Sequence, residues 1–189
     1  QAVVIHALLR NENNPLTAAE VATELGYSSM TPGRAFDEME AAEIAKSKVV
    51  GRVRLVSLTG DRRAIWERAQ PMLESPVKAR HFVQGVPRKV VGLKAGLSAL
   101  ASYTMLADPA NPVLALSREQ WATMKQRGGV VMQALREPDS CEIETWAYVP
   151  RPFRNAELVD PLSLALSLRQ SADERTEQAV ARMLEELAW

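Results

Sequence analysis

The sequence predicts an α+β fold: a run of short helices closing on a β-hairpin, followed by a mixed α/β domain. Three observations predict it. Helix-start signals and a 3.6-residue apolar period fill the chain up to Ile44. The period then changes to alternation as far as Leu58. Beyond Asp61, strand-like and helix-like runs interleave.

Ala2 to Leu9 is already a helical apolar stripe behind Gln1, and the reading is that an N-terminal portion has been removed. Thr17 precedes Glu20 by three residues, so hydroxyl and carboxylate can reciprocally satisfy the orphan amides of a helix start. Val21 and Leu25 form its stripe with Ala18 and Ala22 alongside, and Gly26 supplies a left-handed end. Tyr27, Ser28 and Ser29 then make a connector of helix-turn-helix length, with Ser28 or Ser29 expected to cap the next helix. Pro32 falls in that helix's first turn, where a missing amide costs little. Ala35, Phe36 and Met39, continued by Ala42 or Ile44, form the buried stripe. Thr31, Gly33, Arg34, Asp37, Glu38 and Ala41 are left outward. Lys46, Lys48 and Val50, then Arg52 and Arg54, alternate around Gly51 as a hairpin requires. Helix, tight turn, helix and hairpin in this order make residues 1–60 a winged helix-turn-helix domain.

Asp61 caps a helix through Ala64, Ile65, Trp66 and Ala69 to Leu73, ended by Ser75 and Pro76, so residues 61–77 form a connecting helix. Residues 78–189 form the mixed α/β C-terminal domain. Arg80 to Gln84 and Lys89 to Leu93 read as short strands around Pro87, Ala95 to Leu106 as a helix and Pro112 to Leu116 as a buried strand. Ser117 caps a helix from Arg118 to Arg127, and Cys141 to Val149 alternates through Ile143, Thr145, Ala147 and Val149 as a strand. Asp160 and Pro161 start a helix from Leu162 to Leu168, although the alternating leucines also suit a strand. Ala172 or Asp173 opens the last helix, whose stripe of Val180, Met183, Leu184 and Leu187 is expected to be buried against the domain core, with an interface as the alternative for part of it.

With 189 residues and 47% apolar content the chain can bury a core in one large domain or two small ones. The 23 basic and 23 acidic residues cancel, so there is no global attraction to polyanions. Charge is nevertheless regional. From Ile44 to Lys94, twelve basic residues (Lys46, Lys48, Arg52, Arg54, Arg62, Arg63, Arg68, Lys78, Arg80, Arg88, Lys89 and Lys94) face three acidic ones, Asp61, Glu67 and Glu74. Such a cluster can neutralise several phosphates, or it can be a solvated face with no partner. No apolar run approaches a membrane span and no secretory leader is visible, so no membrane partner is expected. Cys141 is the single cysteine, in keeping with a reducing cytoplasm.

Catalytic raw material is sparse. His6 and His81 are the two histidines, and Cys141 reads as a small buried residue. Gly92, Gly96 and the Gly128-Gly129 pair lack phosphate-loop spacing. Trp66, Trp121, Trp146 and Trp189 read as core or interface anchors, and the pairs Glu142/Glu144 and Glu185/Glu186 as solvated faces. Asp108, Asp139, Asp160 and Asp173 show no Asp-x-Asp spacing for a divalent metal. No enzymatic activity, cofactor, catalytic residue or metal is expected.

The function implied by the N-terminal pattern is sequence-specific binding of double-stranded operator DNA. Ser29, Thr31 and Arg34, with Ser28 beside them, would face the major groove. Arg52 and Arg54 would contact backbone or the adjacent minor groove, with Lys46 and Lys48 adding phosphate contacts. Asp37, Glu38 and Glu40 oppose this reading, because they make the second helix acidic. The alternative is a protein-docking module that uses that acidic face, or self-association. The two diverge on whether the basic residues share a face with Arg34.

Leu16 to Ile44, reading LTAAEVATELGYSSMTPGRAFDEMEAAEI, resembles the MarR-like winged-helix pattern, in which a tyrosine-serine turn leads into a helix ending in an acidic, alanine-rich stretch. GLSALASYTMLADP at Gly96 to Pro109, and VDPLSLALSL at Val159 to Leu168 followed by DERTEQAVARMLEELAW, are similar to the C-terminal region of AbiE-system (AbiEi-type) antitoxin repressors. The resemblance implies a bacterial transcriptional regulator, autoregulating a toxin-antitoxin operon that includes a nucleotidyltransferase-like toxin.

Overall fold

Thr17 ends an extended segment, accepts the Glu20 amide on its hydroxyl at 3.2 Å, and donates its own amide to the Glu20 carboxylate at 3.0 Å. This capping box starts helix α2 (Ala18–Leu25), and Gly26 ends it at φ 68°, a conformation that glycine adopts without a Cβ penalty. A computed structural model describes residues 1–10, 14–85, 92–128 and 130–189. It divides into two units, residues 1–74 with Trp189, and residues 75–188.

In the first unit α1 (Ala2–Leu9) and α2 precede α3 (Met30–Ala41), followed by an antiparallel hairpin of β1 (Ala45–Val50) and β2 (Val53–Leu58). Gly51 takes φ 63° as the first of two turn residues, the position that such tight hairpin turns reserve for glycine. Leu16, outside any strand expected from the sequence, exchanges both backbone hydrogen bonds with Val56, at 2.7 and 2.9 Å. Leu8, Leu16, Val21, Leu25, Phe36, Met39, Ile44 and Val56 are buried in this unit. Asp61 caps α4 (Arg62–Ala69) through the Ala64 amide, and the segment continues as a 3-10 turn, Gln70–Met72, where Pro71 cannot donate. The helix read to Leu73 is therefore shorter.

The second unit is a mixed sheet of seven strands in the order β6-β3-β7-β5-β4-β9-β8. In chain order these are β3 (Val77–Gln84), β4 (Leu93–Lys94), β5 (Val113–Ser117), β6 (Met132–Gln133), β7 (Ser140–Trp146), β8 (Pro152–Phe153) and β9 (Asn155–Val159). Its helices are α5 (Gly96–Tyr103), α6 (Arg118–Gln126), α7 (Pro161–Leu168) and α8 (Glu174–Glu185). Trp121 of α6 packs on Val83, Leu116, Cys141 and Ile143 on one sheet face. On the other face a Cβ at Gly96 would stand 3.0 Å from Val113, which shows how closely α5 approaches β5. The central strands are thus covered on both sides.

The leucines of 162–168 form the expected helix rather than the alternative strand, capped by Asp160, and Pro161 to Ser167 are all buried, so apolar residues occur all round it. Other expectations are corrected. Strand β7 stops at Trp146 rather than Val149. Of the α8 stripe, Met183 is fully buried while Val180, Leu184 and Leu187 are half-covered, with Thr176 and Ala179 completing the buried side. The strand read from Lys89 to Leu93 is described only at Leu93–Lys94. Lys89, together with Pro87 and Arg88, lies outside the described residues, as does Gly129.

Candidate nucleic-acid interface

Helix α3 buries Pro32, Phe36 and Met39, and its period then turns Met30, Thr31, Arg34, Asp37, Glu38 and Ala41 outward. Gly33 is half-buried on the flank. The expected serine cap is absent: Ser29 is helical at φ −60° and makes no side-chain cap, and the turn closes through the Ser28 carbonyl, which accepts the Thr31 amide at 3.1 Å. The backbone does the work assigned to a hydroxyl. Ser28, Ser29, Thr31 and Arg34 are therefore exposed together, with no side-chain hydrogen bond or ion pair to another described residue.

The hairpin treats its four basic residues differently. Pairing of Val49 with Arg54, Ser47 with Val56 and Ala45 with Leu58 places Arg54 on the face that meets α3. Lys46 and Lys48 alternate to the opposite face and are exposed, and Arg52 stands in the turn, also exposed. Arg54 donates from Nη1 to Asp37 Oδ1 at 2.5 Å and from Nη2 to Glu40 Oε2. Glu40 uses its other oxygen to accept the Ser47 amide at 2.7 Å. These hydrogen bonds, Ser47 foremost and then Arg54, hold the Glu40 carboxyl below its ordinary range. Two of the three acids that weighed against phosphate contact are thus bound to the hairpin.

Other members of the basic segment have local partners. Arg62 donates to the carbonyls of Leu8 and Arg10 at the end of α1, Arg63 pairs with Glu67 at 3.3 Å, and Arg80 belongs to the second unit. The window from Ile44 to Lys94 crosses from one unit into the other. Residues 1–74 alone carry nine basic and ten acidic side chains. Positive charge on the first unit is a matter of placement, not excess.

The second unit holds a polar cluster that alternation did not reveal. Glu142 and Glu144, read as a solvated face, are covered: Glu144 is 2% exposed, accepts Trp146 Nε1 at 3.1 Å, and lies 3.4 Å from Arg80 Nε, which also meets Glu142 at 3.1 Å. Burial pushes the Glu144 carboxyl above its ordinary value. The missed signal is Trp146, two residues on and therefore on the same face. On the other face His81 stacks on Trp121 at 4.7 Å, and burial, then Lys125, lowers its imidazole. Cys141 is buried, with its thiol raised by burial to about 11. Asp160 and Asp173 serve as helix caps, while Asp108 and Asp139 are exposed. Among the described residues no three His, Cys, Asp or Glu stand together as a metal site, and no helix is long and apolar enough to cross a membrane.

Comparison of the chain with protein-family models, with curated proteins and with solved structures found no match.

Proposed function

We propose that this chain is a sequence-specific DNA-binding transcriptional regulator whose first unit is a winged helix-turn-helix. The observation that carries the reading is the outward surface of α3. Arg34 stands there among the unengaged hydroxyls of Ser28, Ser29 and Thr31, with Asp37 and Glu40 both engaged by Arg54. Hydroxyls and a guanidinium at the start of such a helix are the groups that read base edges, and Lys46, Lys48 and Arg52 are the cations left to meet phosphate. The order helix, helix, hairpin, with Leu16 paired to the returning strand, supports the winged reading. The resemblance to antitoxin repressors supports an autoregulatory, cytoplasmic setting.

Two observations favour protein docking instead: the near balance of charge in residues 1–74 supplies no general pull toward DNA, and the basic residues do not gather with Arg34, because Lys46 and Lys48 stand on the hairpin face opposite the one that meets α3. A fluorescence-anisotropy titration with labelled duplex DNA at low and physiological salt separates the two readings. DNA binding predicts saturable binding that weakens steeply with salt. No binding to long duplex at low salt leaves docking as the function.

A further inference from the structure

We infer that Arg54 is a positioning residue, which locks the hairpin to α3 and so sets the separation between Arg34 and the cations Lys46, Lys48 and Arg52, without itself touching a phosphate. This role rests on the DNA reading above. Glu40 is the pivot: one oxygen holds the Ser47 amide of β1 and the other the Arg54 guanidinium of β2, so a single side chain of α3 grips both strands. Asp37, one helical turn earlier, takes the second prong of the guanidinium at 2.5 Å. One positive charge between two carboxylates leaves the cluster net negative, so a phosphate gains nothing by approaching it. The fork geometry matters, because only a planar guanidinium reaches both acids at once. The Leu16 bridge holds β2 at Val56 through the backbone but ties neither strand to α3, and a two-stranded ribbon is marginal without further support.

The test uses the full chain and a labelled mixed-sequence duplex, titrated over a series of salt concentrations. The variant D37N/E40Q separates the roles by sign. If the acids merely repel DNA, removing two negative charges tightens binding, whereas loss of a clamp weakens it several-fold. Arg54→Leu is expected to lower affinity with the salt slope unchanged, while Arg52→Ala lowers the slope by about one. Arg54→Lys, which keeps the charge and loses the fork, is expected to behave like Arg54→Leu. Hydrogen exchange of residues 45–58 provides a readout independent of DNA, with faster exchange in the Arg54 variants and none of this acceleration in α2. Tighter binding by D37N/E40Q, a slope reduced by Arg54→Leu, near-native binding by Arg54→Lys, or unchanged exchange would each overturn the clamp. Failure of the unmodified chain to bind duplex while exchange still responds to Arg54 would instead overturn the DNA reading and keep the clamp as structure alone.

Discussion

Asp160 shows how one side chain couples fold and pH. It caps α7 by accepting the Ser163 amide at 2.7 Å, yet it is buried, and burial raises its carboxyl to about 6 against the pull of that hydrogen bond. Its folded value lies above its unfolded one, so the contribution to stability is present below about pH 4 and is lost as pH climbs to about 6. Asp160→Asn keeps an acceptor for the cap and removes the titration. Denaturant unfolding from pH 4 to 6.5 should show the unmodified chain losing up to about 3 kcal/mol more than the variant. Parallel profiles for the two proteins would show that the carboxyl is not raised. At this scale the sequence is least legible: Arg54 meets acids seventeen and fourteen positions earlier, and Glu144 lies between strands β3 and β5, which no local window contains.

Elements were read where their start and stop chemistry is local. Thr17 with Glu20 forms the capping box its spacing implies, Ser117 caps α6 as expected and the structure adds Gln120 to it as a box, and Asp61, Asp160 and Asp173 cap the helices they precede. The α3 start was misread because backbone bonding can replace a serine hydroxyl. The contrast is measurable. Thr17→Ala should cost about 1 kcal/mol of stability in a thermal or denaturant melt, whereas Ser29→Ala should stay within about 0.5 kcal/mol. A comparable loss at both positions would contradict the uncapped start. Strands fared worse than helices. Strands β6, β8 and β9 and the Leu16 bridge are too short or too dependent on distant partners to leave a period, and the acid face of β7 passes for solvent because alternation cannot distinguish one covered face from two.

At the scale of the whole molecule, a neutral chain resolves into two units, and the basic run in the sequence is shared between them. The second unit depends on α8, which packs on α5 and α7 and buries Thr176, Ala179 and Met183. Burial of a large apolar side chain is worth about 1.5 to 3 kcal/mol, so a chain ending before Asp173 should lose the near-ultraviolet signature of Trp121 and Trp146. A truncated protein that still melts cooperatively with that signature intact would assign α8 to assembly instead. For the DNA-binding claim the decisive measurement is selection from a random duplex pool by the unmodified chain and by Arg34→Ala. The account predicts an enriched sequence motif for the unmodified chain, with Arg34→Ala losing preference at one position by about 1 to 3 kcal/mol. Recovery of no motif at low salt, or of the same motif with and without Arg34, would contradict it.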